Sequence, residues 1–151
     1  MANRFQAAVI GGAAGAVTLT ALHQILKRIT PDAPRADNLA KQGLRKAFRA
    51  AGSNPPPDDQ LHWASLAGDL AVNTAYYGAG LAFGPRAAKL VGPLMGAGAG
   101  VGSIALPGPM GLNPAETGRT AKTKMLSFAL YLAGSLVATA TYRALLTEEA
   151  D

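Results

Sequence analysis

Long uncharged runs constrain this chain most strongly. Apolar runs cover residues 5–26, 61–83 and 125–146, and a fourth covers residues 87–106 although it contains Lys89 and Pro93. A helix needs about 20 apolar residues to cross the hydrocarbon core of a bilayer. None of the runs repeats the charged face that a water-exposed helix carries. The sequence therefore predicts an all-α polytopic membrane protein, a four-transmembrane-helix bundle, with a soluble all-α bundle of small side chains as the alternative.

The composition supports a membrane protein without a cofactor. Only 15% of the residues are charged, against about 25% in ordinary soluble domains. The absence of cysteine excludes disulfides, thiolate metal sites, iron–sulfur clusters and covalently attached haem. The sequence holds no phosphate-binding loop after a strand, no HExxH and no GxSxG. We therefore predict no cofactor, no metal and no catalytic residues, in a single membrane domain of residues 1–151.

The distribution of basic residues predicts the orientation in a bacterial-type inner membrane. Connections 27–60 and 107–124 together contain ten Lys and Arg residues, whereas four lie elsewhere in the chain. Cytoplasmic connections carry an excess of Lys and Arg. Both connections are therefore predicted to be cytoplasmic, and both termini to lie outside the cytoplasm. Because the basic residues flank apolar runs in this way, the net charge of +5 indicates membrane topology and no nucleic-acid partner.

The long connection 27–60 contains a predicted basic amphipathic helix. In NLAKQGLRKAFRAAG, apolar and small side chains fall on one helical arc and basic side chains on another. Such a helix beside a membrane lies along the anionic inner leaflet. Alternatively, its apolar face covers the cytoplasmic ends of the bundle. The predicted inner-leaflet contacts are Lys41, Arg45, Phe48 and Arg49.

Small residues at helical spacing predict close packing between the spans. Gly11 and Gly15 lie on one line of the first span, and Gly92, Gly96 and Ser103 lie on one stripe of the third run. Small residues let transmembrane helices approach closely, because lipid provides no hydrophobic drive for association. The contacts are predicted to lie within the chain, with a homo-oligomeric interface as the alternative.

A polar stripe within the second span is the main candidate site. Its polar residues follow spacings of three, four or seven and so share one helical face, which must avoid lipid. A serine–tyrosine stripe on the fourth span is its predicted counterpart, with a histidine of the first span near the same end. The predicted stripe or path consists of His62, Asp69, Asn73, Tyr76, Tyr131, Ser135 and His23.

The polar stripe has two interpretations. A buried acid indicates a proton or cation relay, or a polar ligand pocket open to the cytoplasm; the alternative is a hydrogen-bond clasp between the second and fourth spans. The leading functional hypothesis is a small non-catalytic accessory or assembly subunit of a larger membrane complex. A small oligomeric transporter or channel using Asp69 is the alternative, and a lipid-acting enzyme with His62 and Asp69 as acid–base pair is third. The predicted partners are membrane lipid and a protein within the membrane, or a second copy of the chain.

Overall fold

The computed structural model describes residues 3–147, which form six helices and no strand. The predicted all-α class is confirmed. The four long helices overlap the four predicted runs, and the amphipathic helix lies in the long connection. The helices are α1 (Arg4–Ile29), α2 (Ala36–Ala50), α3 (Asp58–Leu81), α4 (Pro85–Ala105), α5 (Ala115–Gly118) and α6 (Ala121–Thr147).

Local sequence explains where the helices begin and end. The side chain of Asn3 accepts a hydrogen bond from the Gln6 amide, and the Gln6 side-chain oxygen accepts one from the Asn3 amide, which forms a capping box before α1. At the other end of α1, Thr30 is extended because a proline follows it. The prolines of residues 55–57 likewise precede α3, which starts with Asp58 and Asp59 at the positive end of its dipole.

The four long helices form an up-and-down ring in which each neighbour is antiparallel. Helix α1 packs against α3 and α6, and α4 packs against α6 and, less extensively, against α3. Helices α1 and α4 therefore occupy opposite corners, as do α3 and α6. Both long connections lie at one end of the ring, where α2 contacts α5. We call this end the connection end.

Glycines set the separation of the helices. A Cβ on Gly11 of α1 would lie 2.8 Å from the carbonyl oxygen of Ala138 on α6. Gly15 of α1 faces Gly134, which also lies on α6. On α4, Gly92 and Gly96 lie directly against side chains of α6. These predicted packing residues thus all lie at contacts within the chain.

Ser103 has a different role from the glycines. Its hydroxyl donates to the Gly100 carbonyl of its own helix at 2.8 Å. Its carbonyl accepts a hydrogen bond of 2.6 Å from the Thr117 hydroxyl, which ties α4 to α5. Ser103 therefore also joins the end of α4 to the second connection.

Two of the long helices, α1 and α6, are apolar enough along their length to cross a membrane. Helix α3 contains Asp69, Asn73 and two tyrosines, and α4 contains Lys89 and many weakly hydrophobic glycines. Hydropathy and length therefore support two of the four predicted spans.

The ring buries several polar side chains beside its apolar core, and it exposes many large apolar side chains. The buried side chains include Ser65, Asn73, Ser127, Ser135 and Thr139, whereas the large exposed hydrophobic residues include Val17, Val72, Leu94 and Leu136. Soluble proteins rarely expose apolar surface so continuously. Exposed apolar surface of this kind marks a region that contacts a membrane or another protein.

Candidate functional site

A polar chamber lies at the connection end, between α1, α2, α3 and α6. It consists of two small cavities, of about 30 and about 20 Å³, that share Thr20, His23, Ala36 and Asp69 among their lining residues. The first cavity is also lined by Asp37, His62 and Ser65, and the second by Thr117, Ser127 and Tyr131. A cavity can hold one water molecule when the space open to the centre of a water-sized sphere is about 10–15 Å³. Each cavity is thus of the size that holds one or two waters.

His23 connects α1 to the start of α2. Its Nε2 atom lies 2.8 Å from the carbonyl oxygen of Pro34, and the ring is 8% exposed. A carbonyl oxygen only accepts, so Nε2 carries the proton in this contact. In the neutral ring Nδ1 is then the remaining acceptor. The histidine therefore holds the bend 30–35 against the bundle and adds one polar group to both cavities.

Asp69 lies on α3, partly buried between the two cavities. The Asn73 side chain donates to the Asp69 carboxylate and to the Asp69 backbone carbonyl, both at 2.9 Å. This bond runs along one helix, and the second carboxylate oxygen of Asp69 has no protein donor among residues 3–147. Asn73 thus orients the acid toward the chamber, where His23 and Thr20 are its neighbours across the cavity.

Two buried polar atoms around the chamber have no hydrogen-bond partner within the described residues. They are the Thr20 hydroxyl oxygen and the Oδ1 atom of Asp37. Buried polar groups are almost always satisfied by protein or by ordered water. Both residues line the first cavity, whose volume suits water, so we infer that water completes these contacts.

Four of the seven predicted stripe residues meet at the chamber, and Asn73 supports one of them. His23, His62 and Asp69 line the first cavity, and Tyr131 lines the second with His23 and Asp69. His62 also makes an edge contact with Trp63, with ring centroids 5.5 Å apart. This grouping matches the predicted face of α3 near the connection end.

Tyr76 and Ser135 do not reach the chamber. The Tyr76 hydroxyl donates to the Met95 carbonyl of α4 at 3.0 Å, because α4 covers this face of α3 farther from the connection end. Ser135 donates to the Leu132 carbonyl of its own helix and packs against Gly96 of α4. The inward tyrosine of α3 is Tyr77, whose hydroxyl donates to the Tyr131 carbonyl at 3.0 Å. This hydrogen bond joins α3 to α6, and it is made by Tyr77, which was not among the predicted stripe residues.

Asp37 is the charged chamber residue that sequence reasoning missed, together with the uncharged Ser65 and Thr117. The sequence ITPDAPRAD is typical of a non-helical bend, yet the structure begins α2 at Ala36 and brings Asp37 beside the last turn of α1. There its Oδ2 atom accepts a hydrogen bond of 2.6 Å from Lys27. The only available signal was an acid near a helix start ten residues after a lysine. That spacing does not by itself predict a contact across a bend.

Lys27 keeps Asp37 ionised. Burial by itself would raise the pKa of Asp37, but the hydrogen bond and charge of Lys27, with His23 nearby, hold this pKa below its usual value. A carboxyl group with a lowered folded-state pKa stabilises the fold above the unfolded value of about 3.9. That contribution is lost as the pH falls through the folded-state pKa.

We therefore expect Asp37→Asn to lower the Tm at pH 7 by about 2–4 °C, which corresponds to a partly exposed ion pair of about 1 kcal/mol. The difference from wild type should shrink as the pH falls below about 4, where the wild-type carboxylate protonates. Thermal unfolding of both proteins in detergent between pH 7 and pH 3 measures this. Lys27→Met should reproduce the same pH profile. A difference that stays constant or grows on acidification would contradict the assigned pair.

The described residues offer no metal site. Within residues 3–147, no group of three or more His, Asp or Glu side chains is close enough to hold a metal ion. The chamber combines imidazole, carboxylate and hydroxyl groups around water-sized space.

Comparisons with known proteins give no family for this chain. No protein-family model, curated protein or solved structure matches it. Its class therefore rests on the fold and site alone: an all-helical protein with two helices able to span a membrane.

Proposed function

We propose that the chain is an integral membrane protein in which α1, α3, α4 and α6 all span the bilayer. The support is the outward surface of the ring. Within 7–26, 63–83, 90–106 and 125–142, none of the residues that are exposed carries a charge. At 1.5 Å per residue each segment covers roughly 25–31 Å, close to the hydrocarbon thickness of about 30 Å. Asp69 and Asn73 lower the hydropathy of α3, but they lie on its inner face.

We place the connection end in the cytoplasm, with both termini on the other side. The support is the ten-to-four distribution of Lys and Arg, because all ten of the connection residues belong to segments at one end of the ring. Helix α2 then lies at the cytoplasmic surface of the bilayer. Its contacts with α5 and the start of α3 keep it against the bundle.

Within this membrane, we propose that the protein is a small non-catalytic accessory or assembly subunit of a larger complex. The observation that carries the proposal is an open apolar groove of about 790 Å³ between the outer faces of α1 and α3. Its lining is uncharged and mostly small, including Ala71, Ala75 and Ala79, with Phe5 and Val17 near its two ends. Small residues allow a partner helix to approach closely. The occupant we propose is a transmembrane helix of a partner protein.

The interior of the ring favours a subunit over a transporter. Beyond the chamber, the core is filled by apolar and aromatic side chains: Ala7, Ala8, Tyr77, Leu81, Ala88, Ala138 and Tyr142. The next cavity along this core, between Tyr77, Gly92 and Ser135, has no room for a water molecule. A path through one chain would have to cross this packed layer.

The test is intact-complex mass measurement after extraction in mild detergent. We expect a defined partner protein with the wild-type chain and its loss with Ala71→Leu/Ala79→Leu, which fills the groove. Ala129→Leu/Ala140→Leu, on the exposed face of α6, is the matched control and should keep the partner. Equal retention by both variants, or only lipid bound to the wild type, would overturn the proposal.

The polar chamber favours a second candidate, a transporter or channel that uses Asp69 as its proton or cation site. Asp69→Asn separates the two functions. An asparagine there still accepts the Asn73 hydrogen bond, so the subunit hypothesis expects a stability change below about 1 kcal/mol and an intact complex. The transporter hypothesis expects loss of flux in a folded, inserted protein.

A further inference from the structure

A basic pocket opens on the surface of the connection end, away from the polar chamber. It has a volume of about 280 Å³ and lies between the C-terminal half of α2 and the loop that follows α4. We define the basic pocket by its lining residues: Gln42, Arg45, Lys46, Arg49, Gly111 and Leu112. No acidic side chain is among them.

Two contacts shape this pocket by joining α2 to the loop. The backbone amide of Asn113 donates to the Gln42 side-chain oxygen at 2.9 Å, and the Lys46 ammonium donates to the Met110 carbonyl. Gly111 has a φ of +69°, and a Cβ there would lie 2.8 Å from the Lys46 nitrogen. The positive φ favours glycine at this position, and a Cβ there would require the flexible Lys46 ammonium to shift.

The basic residues of α2 differ in whether their charged groups already form ion pairs or hydrogen bonds within the protein. Lys41 and Arg45 both form ion pairs with Asp58 at the start of α3. Lys46 uses one of its three donors on a neutral carbonyl. Throughout residues 3–147, the Arg49 guanidinium has no hydrogen-bond or ion-pair partner, and the residue is exposed. Lys46 and Arg49 are thus the cations of this pocket that remain available for an anion.

Apolar surface continues from the pocket along the ring. Met110 and Leu106 beside it are 57% and 55% exposed, and Val101 on the lipid-facing side of α4 is 56% exposed. An anion held in the pocket would therefore sit close to exposed apolar side chains at this end of α4. A phospholipid has the same arrangement, with a charged phosphate next to long acyl chains.

We propose that the basic pocket binds the phosphate of an anionic phospholipid headgroup, with Lys46 and Arg49 donating to it and the acyl chains lying along α4. This proposal rests on the membrane placement given above. It also changes the predicted inner-leaflet contact set, because Lys41 and Arg45 are engaged by Asp58 and Lys46 takes their place. Basic pockets on the cytoplasmic side of membrane bundles are suited to such headgroups.

The test measures lipid retained by the full chain by native mass spectrometry, with titrations of phosphatidylglycerol, phosphatidylcholine and inorganic phosphate. Lys46→Gln/Arg49→Gln should weaken phosphatidylglycerol binding by about tenfold to thirtyfold, from about 1 kcal/mol per cation. Arg28→Gln/Lys124→Gln removes the same charge at the same end, outside the pocket, and should change it less than about threefold. Gly111→Ala alters no charge and should also weaken binding by displacing Lys46.

The possible outcomes distinguish the pocket from general surface charge, and a lipid from free phosphate. Equal losses in the two double variants would overturn the pocket in favour of general surface charge. Inorganic phosphate binding as strongly as phosphatidylglycerol would overturn the lipid assignment. Equal retention of phosphatidylcholine, which has the same phosphate but no net charge, would overturn the assignment to an anionic phospholipid. Flotation of the wild type with vesicles of phosphatidylcholine alone tests the membrane placement separately, and thermal unfolding confirms that each variant folds.

Discussion

Replacing Gly12 with leucine is expected to lower the free energy of unfolding by roughly 3 kcal/mol or more, the upper end of the cost of overpacking. Gly12 lies on α1 where the helix meets α3. A Cβ there would overlap the Thr74 carbonyl oxygen and lie 2.9 Å from the Gly78 amide nitrogen. Both neighbours are backbone atoms, which cannot move aside as a side chain does. The helices would have to separate, and the loss would extend along the α1–α3 contact.

Thermal unfolding in detergent measures this effect. Gly12→Ala should show a smaller loss in the same direction, because a single methyl group already meets the backbone of α3. The matched control is Gly68→Ala on α3, where an added Cβ meets nothing within 4 Å. That substitution should leave the Tm unchanged or slightly raised, since alanine favours a helix over glycine by up to about 1 kcal/mol. A Gly12→Leu protein that melts like the wild type would mean that α1 and α3 do not approach as described.

Replacing His23 with leucine is expected to release the bend between α1 and α2. The Pro34 carbonyl would lose its donor while buried, at a cost of about 1–3 kcal/mol. Pro34 is itself fully buried, so no surface water replaces the lost bond without local opening. Hydrogen exchange of the amides in residues 32–40 should therefore speed up by about tenfold or more, in line with that free energy.

His23→Gln offers a specific control, because its side-chain amide retains a donor. It should restore part of the protection that His23→Leu removes. His62→Leu is the second control, since this ring lines the same cavity but contacts Trp63 and not the bend. Its exchange in residues 32–40 should stay near the wild-type rate. Fast exchange in His62→Leu but not in His23→Leu would mean that His62, and not His23, holds the bend.

Much of the helical fold was predictable because it depends on local patterns. The apolar runs predicted four long helices, and each lies within a few residues of its expected bounds. The 3.6-residue period of NLAKQGLRKAFRAAG predicted α2. The glycine pairs of α1 and α4 were predictable for the same reason, although Gly12, which lies closest to α3, falls one residue outside the predicted line.

The candidate site was predictable only in part. A helical wheel places His62 and Asp69 on one face of α3, and both line the chamber. The same wheel places Tyr76 on that face, yet Tyr77 makes the contact with α6. Neighbouring residues differ by about 100° around a helix. Which of two adjacent tyrosines points inward therefore depends on where the other helices pack.

The amino-acid sequence alone was sufficient to predict that the fold is all-helical, how long the helices are and that one of them carries an acid within an apolar run. These features depend on composition and periodicity along one segment. The tertiary structure decided the pairing of Lys27 with Asp37, the bond from His23 to Pro34 and the freedom of Arg49 beside the engaged Arg45. Each of these joins or separates groups across a bend or between helices. Such contacts depend on the crossing and rotation of packed helices, which arise only when all the elements pack together.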